Sequence, residues 1–187
     1  MAGPSLIEAY AIVSEDGMLA DANRVMPDGL KVEADQRFFH EGLNRAAVVV
    51  HGRHSHEGGP DAAARHRLVV TTRAPALAPD PKHPNSLLWN PQGATLEQAW
   101  TALGAPTGVL AVIGGPEVYR LFLDRYDAFH LTRAAHVRLP GGRPVFPDIG
   151  PGRTPEDILA GHGLTPGDTR VLDPARGVTL VTWQRPG

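Results

Sequence analysis

The sequence contains no cysteine. That excludes a disulfide framework, thiol nucleophile chemistry and thiolate metal sites. Aromatic residues are few, five Phe, three Tyr and three Trp in 187, and the formal net charge is −2. With neither stacking platforms nor a basic stripe, a nucleic-acid partner is not expected. No apolar run approaches the length of a membrane span, and the first residues lack a basic-then-apolar export pattern, so a cytoplasmic protein without a membrane partner is expected. Three catalytic signatures are also missing: G-x-G-x-x-G at the first strand, H-E-x-x-H, and the G-x-S-x-G nucleophile elbow. His51, His54 and His56 lie close together, but no carboxylate stands at clear ligand spacing, so no metal is expected.

What is present is a globular balance, 42% apolar and 20% charged residues, enough for one domain over residues 1–187 with a sizeable core. Leu6 to Val13 is predicted to form a largely buried first strand, closed by a turn at Ser14-Glu15-Asp16-Gly17, where Gly17 can take positive φ. Met18 to Lys31 reads as a long loop, and Val32 to Leu43 as a helix with Phe38 and Phe39 on its inner side and Gly42 weakening its end. Ala46 to His51 and Arg67 to Thr72 are further strands. Residues 74–85, rich in proline, read as a rigid surface connection, followed by a short strand from Ser86 to Asn90. Thr95 is a plausible N-cap for a helix through Leu103.

The stretch Val109 to Thr132 organises the rest. Val109 to Ile113 has the length and β-branching of a strand buried on both faces. Gly114 and Gly115 follow, then Pro116, suited to a first helical position. The helix reads EVYRLFLDRY, with Val118, Leu121 and Phe122 sharing one face; a strand from Ala128 to Thr132 comes next. Pro140 to Pro151 is another Gly/Pro-rich loop. Asp168 to Asp173 and Val178 to Gln184 are joined as a hairpin by Pro174-Ala175-Arg176-Gly177. Strands alternating with helices, then a terminal hairpin, predict a three-layer α/β/α fold with a mainly parallel sheet and an antiparallel edge.

In such sheets ligands bind beyond the carboxyl ends of the strands. Two glycine turns before helices, at Gly52 and at Gly114-Gly115, could hold a pyrophosphate. Arg53 and Arg73, with Thr71 and Thr72, could hold a separate phosphate, because guanidinium pairs bidentately with phosphate oxygens. That pattern fits a phosphorylated dinucleotide such as NADPH; surface pairing of both arginines with acids is the alternative.

Here the sequence resembles a known family. Ile113-Gly114-Gly115-Pro116-Glu117-Val118-Tyr119, then Leu131-Thr132 and Phe146-Pro147-Asp148, resemble the second half of the dihydrofolate reductase fold. Gly52-Arg53-His54-Ser55 is similar to that family's cofactor turn, and Val70-Thr71-Thr72-Arg73 to its 2′-phosphate site. Ser14-x-Asp16-Gly17-x-x-Ala20 is closer to a sister branch, the riboflavin-biosynthesis reductases. The resemblance spans residues 6 to about 149. It implies hydride transfer from NADPH to a C=N of a pteridine, or to an open-chain imine on a pyrimidine, and a cis Gly114–Gly115 bond. It places Ala9 and Tyr119 towards the nicotinamide, Gly52, Arg53, His54 and Ser55 on the pyrophosphate and adenosine side, and Thr72 and Arg73 at the 2′-phosphate, with Gly17 and Ile113 also in the cofactor set. Glu117 and Val118 join the cofactor set, and Phe39 and Thr132 the substrate set. It also implies an acid on the first helix gripping a substrate ring. Asp35 matches in order, with Glu33 as substitute; a first-turn acid can equally serve only the helix dipole. Asp28 stands where dihydrofolate reductases usually carry tryptophan, which points away from dihydrofolate itself. A small heterocyclic substrate and a homodimer are expected, with a non-catalytic nucleotide-binding scaffold as the alternative.

Overall fold

The computed structural model describes residues 2–55 and 57–187; His56, one of the three clustered histidines, lies outside the described residues. β1 (Pro4–Ser14) is followed by a short strand β2 (Met18–Ala20) and helix α1 (Glu33–Arg45). β3 (Ala46–Gly52), β4 (Arg67–Val70), β5 (Leu77–Pro79) and β6 (Ser86–Trp89) lead to α2 (Leu96–Leu103). Then come β7 (Gly108–Val112), α3 (Pro116–Leu121), β8 (Ala128–Ala134) and β9 (Arg143–Pro144). α4 (Pro155–Gly161) precedes the terminal pair β10 (Thr165–Asp173) and β11 (Val178–Gln184).

The main sheet runs β10-β11-β8-β1-β7-β3-β4-β6-β5. The six strands from β8 to β6 are parallel. β11 joins β8 antiparallel, and β5 closes the other edge antiparallel to β6. Helices cover both faces. Ala9, Ala11 and Val13 of β1 pack with Trp100 of α2, Phe122 beyond α3 and Leu159 of α4. On the opposite face Tyr10 packs with Leu43 of α1, and Ile12 with Leu30 and Val32. The three-layer α/β/α arrangement with a mainly parallel sheet and a terminal antiparallel hairpin is the one predicted.

Local chemistry accounts for the helix ends. Thr95 and Gln98 form a reciprocal capping box at the start of α2, and Gly104 closes it at φ +70°. Thr154 and Asp157 do the same for α4, with Pro155 at its first position. That helix was not expected. The Met18–Lys31 segment is not wholly a loop: β2 pairs with β9, and a 3-10 turn at Asp28–Leu30 buries Leu30. The proline-rich connection contains β5, an edge position that tolerates proline's missing N–H. α3 stops at Leu121, so Val118 and Phe122 are buried while Leu121 remains 41% exposed. The Gly52 turn leads to a 3-10 turn at Ala62–Ala64, not to an α-helix.

Candidate functional site

Because β1, β3, β4 and β7 run parallel, their carboxyl ends share one edge of the sheet. Two hydrogen bonds tie the two glycine turns together there. Gly52 N–H donates to the Gly114 carbonyl at 2.8 Å, and Ile113 N–H donates to the Val50 carbonyl at 3.1 Å. The Gly114–Gly115 peptide is cis, as the resemblance implies, and Gly114 sits at φ +113°. A Cβ on Gly114 would stand 3.2 Å from the Tyr119 ring, so both the backbone conformation and the close approach require glycine.

Two cavities open at this edge. The larger holds about 400 Å³ between α1 and the sheet. The smaller, about 240 Å³, lies across the ends of β3 and β4. They meet at His54, Ser55, Gly115 and Arg143, which line both.

The larger cavity contains Asp35, Phe39, Thr132, Ile113, Gly114 and Tyr119 from the predicted set. Asp35 is buried, and burial pushes its carboxyl up to about 6, with a hydrogen bond from Thr132 acting in the opposite sense. Glu33, in the same helical turn, faces outward and pairs with Arg37 at 3.1 Å. Rotation of α1 therefore selects Asp35 as the inward acid. Phe38 and Phe39 are half-buried rather than part of the interior; both pack near the Tyr10 ring, with centroids 5.8 and 6.2 Å away. The Tyr119 hydroxyl, held protonated by burial and by the Asp35 charge, donates to the Tyr10 carbonyl at 2.5 Å.

The smaller cavity contains Gly52, Arg53, Thr71, Thr72, Glu117 and Val118 from the predicted set. Three predicted residues line neither cavity. Ala9 is fully buried on the α2–α4 face; Ala11, two residues along the same strand, reaches the larger cavity instead. Gly17 lies at φ +83° under Pro155, in a turn whose Asp16 carboxylate accepts from Leu139 N–H at 3.0 Å. The Ser14-x-Asp16-Gly17 motif thus anchors the 139 segment. Arg73 comes three residues after β4 ends and is exposed, its backbone N–H donating to Thr71 Oγ1 at 3.1 Å.

Other residues at the site carried no local signal in the sequence. Tyr10 and His130, on neighbouring strands, stack with ring centroids 4.7 Å apart on the cavity wall. The His130 imidazole beside it holds the Glu8 carboxyl below its ordinary range, with Nε2 3.8 Å from Oε2, and the Tyr10 hydroxyl donates to the same oxygen at 3.0 Å. Arg143 arrives from β9 through a pairing no local pattern announced. Glu57, also on the wall, is buried and accepts from Arg65 at 3.0 Å and Arg67 at 2.7 Å. Among the described residues no group of three or more His, Cys, Asp or Glu could hold a metal, and no helix is long and apolar enough to cross a membrane.

The donor set of the smaller cavity suits a phosphorylated nucleotide. Arg53, Ser55, Thr72 and Arg143 bring guanidinium and hydroxyl donors to one groove. At its inner end a Cβ on Gly115 would stand 3.1 Å from Arg143 Nη2 and 3.2 Å from Ser55 Oγ, so the backbone there is closely embraced by donor groups.

No family model matches the chain, and no curated relative matches it. Solved structures do. A proposed riboflavin biosynthesis protein from Shewanella sp. PV-4 superposes with a TM-score of 0.66 at 19% identity, over 97% of this chain and 99% of that one. Dihydrofolate reductase from Enterococcus faecalis, complexed with NADP(H) and RAB-propyl, superposes with a TM-score of 0.65 at 17% identity, over the whole of both chains. The strand order, the paired glycine turns and these full-length superpositions together show that the chain has the dihydrofolate reductase-like fold, with likeness to the riboflavin-biosynthesis type.

Proposed function

We propose that the protein is an NADPH-dependent reductase that transfers hydride to a C=N, or to an open-chain imine or carbonyl, of a small pteridine- or pyrimidine-type substrate. The observation that carries this reading is a buried Asp35 carboxyl, with a pKa near 6, in a cavity that meets a guanidinium- and hydroxyl-lined groove at Gly115. NADPH, when bound, supplies the hydride. Arg53, His54, Ser55, Thr71 and Thr72 would hold its phosphates and adenosine side, and Arg73 would hold the 2′-phosphate. Gly115, Glu117, Val118 and Tyr119 shape the floor. Asp35, oriented by Thr132, binds ring N–H donors of the substrate and holds the proton that the reduced nitrogen takes up. Phe38, Phe39 and Tyr10 supply apolar walls for a flat heterocycle.

Fluorescence titration with NADPH and NADH tests the cofactor assignment, using wild type, Arg53→Ala and Arg73→Ala. Loss of one charge-assisted phosphate contact costs about 1.5–3 kcal/mol, roughly ten- to a hundredfold in affinity. Micromolar NADPH, much weaker NADH, and a difference erased by either variant is the expected result. Binding without turnover on any pterin or pyrimidine identifies a nucleotide-binding scaffold; no binding at millimolar cofactor overturns the reading. A cytoplasmic homodimer goes with the proposal, and sedimentation at micromolar concentration checks the dimer.

A further inference from the structure

Sheet register lays a row of side chains along one wall of the larger cavity. Thr182 of β11 is directly opposed to His130 of β8, and His130 to Tyr10 of β1. Opposed residues on neighbouring strands project from the same face, so the three stand in line across the sheet. His130 Nδ1 lies 2.9 Å from Thr182 Oγ1, and the Tyr10 and His130 rings stack with centroids 4.7 Å apart. One step towards the carboxyl ends of the strands, on the same face, is Thr132, which hydrogen-bonds Asp35. One step the other way is Glu8, two residues before Tyr10 and also on that face.

Tyr10 and His130 line the larger cavity together with Phe38 and Phe39, whereas Glu8 does not. Both rings nevertheless direct a polar atom at Glu8. The Tyr10 hydroxyl donates to Glu8 Oε2 at 3.0 Å, and burial and the Glu8 charge hold that hydroxyl protonated. His130 Nε2 faces the same oxygen at 3.8 Å and has no hydrogen-bond partner among the described residues. The charge of Arg45, at the end of α1, also favours the ionised Glu8. From the other side Gly42 admits the hydroxyl end of the Tyr10 ring, where a Cβ would overlap it. Carboxylate and helix thus hold the ring between them. A tyrosine hydroxyl turned into the cavity would seek hydroxyl or charged groups on a ligand. Held at Glu8, it leaves the rings as an apolar wall beside Asp35.

We infer that Glu8 is a positioning residue that sets the specificity of the larger cavity, by drawing the Tyr10 hydroxyl and the His130 ring nitrogen away from it. The ligand seated there is a flat ring. Beyond the N–H donors that Asp35 takes, its edge facing the Tyr10–His130 pair carries no hydroxyl or charged substituent. The inference deepens the reductase reading and rests on it only in taking that ligand to be the substrate.

The test compares wild type, Glu8→Leu, Glu8→Gln and Tyr10→Phe, with Arg37→Ala on the outer face of α1 as control. Thermal melts confirm that each is folded; Tyr10→Phe removes the same hydrogen bond from its other end should Glu8→Leu not fold. Two readouts are taken on the full chain: the proton NMR signals of the His130 ring, assigned by their absence from His130→Gln, and the affinity for pterin, followed by its own fluorescence. In wild type and control the His130 signals are expected to carry the ring-current shift of a stacked imidazole. In Glu8→Leu they are expected to move towards unstacked positions, with pterin affinity weakened about tenfold, as for loss of one hydrogen bond to a charged group. Glu8→Gln keeps an acceptor for the hydroxyl and is expected to restore most of both, and NADPH affinity is expected to be the same in all. Unmoved His130 signals in Glu8→Leu overturn the inference, as does pterin affinity equal to that of the wild type. If pterin binds to none of the proteins, the wild type included, the substrate reading fails, and the His130 signals alone decide whether Glu8 holds the rings.

Discussion

Tyr119 donates its hydroxyl to the Tyr10 carbonyl at 2.5 Å, joining α3 to the middle of β1. The β1–β7 ladder ends one residue earlier, at Ala9 and Val112, because β7 departs into the glycine turn. The tyrosine takes up a buried carbonyl at the point where the strand partner leaves. The same ring lies under Gly114, and its own carbonyl accepts from Tyr126 at 2.9 Å. Tyr119→Phe leaves the Tyr10 carbonyl without this donor, which costs about 1–3 kcal/mol. Urea unfolding is expected to show that loss, with an unchanged slope.

Asp35 is expected to weaken the protein it serves. Its folded-state pKa of about 6 lies above the unfolded value of about 3.9. The stabilisation linked to its proton is complete below pH 4 and is lost as pH rises through 6. At pH 7 the ionised buried group is a net cost, on the order of 2–3 kcal/mol. Asp35→Asn is therefore expected to raise the melting temperature at pH 7 by several degrees and to leave it nearly unchanged at pH 4, while turnover is lost. For the wild type, kcat/KM is expected to be level below about pH 6 and to fall about tenfold per unit above it, as the carboxyl loses the proton it donates.

Gly42 sits inside α1, where alanine ordinarily stabilises by about 1 kcal/mol. Here the Tyr10 ring lies directly on the Gly42 backbone, and a Cβ would overlap it. Gly42→Ala is expected to reverse the usual sign and destabilise by about 1–3 kcal/mol, with Tyr10 near-ultraviolet dichroism altered. What the sequence presents as a weak helix end is a close contact between helix and sheet.

Glu57 accepts from Arg65 and Arg67 with side chains 1%, 11% and 7% exposed. Glu57→Ala strands two buried guanidinium groups and is expected to cost about 3–5 kcal/mol. Chemical denaturation measures it, and added salt is expected to restore little, because buried pairs are poorly screened.

The legibility of the chain follows its physics. β3 and β7 are readable because strands buried on both faces are written as near-continuous apolar runs, and β1 and β8 because isolated polar residues such as Glu8, His130 and Arg133 interrupt otherwise apolar ones. β2, β5 and β9, of two or three residues, hold their places by pairing alone and leave no periodic trace. α4 carries a readable start, Thr154-Pro155 with Asp157, submerged in a Gly/Pro-rich stretch. Spacing could bring Glu33 and Asp35 to one turn but not choose between them; the choice depends on how α1 is rotated against Tyr10 and Thr132. Ala9 and Ala11 share one face of β1, so a two-residue offset kept the correct strand and face and missed the residue reaching the cavity. Arg143 and His130 depend on pairings across the sheet, which no window along the chain contains.

Where the two cavities meet, the Gly114–Gly115 wall presents peptide and no side chain. Substitution there is opposed by the positive φ of Gly114 and by the close approach of Tyr119, Arg143 and Ser55. Engineering is thereby confined to opposite banks. Preference in the groove is adjustable at Arg53 and Thr72, and preference in the larger chamber at Phe38, Phe39 and Met26, with neither set of changes passing through the boundary. The two specificities can be evolved as separate traits, in successive libraries, on one unchanged hinge of backbone.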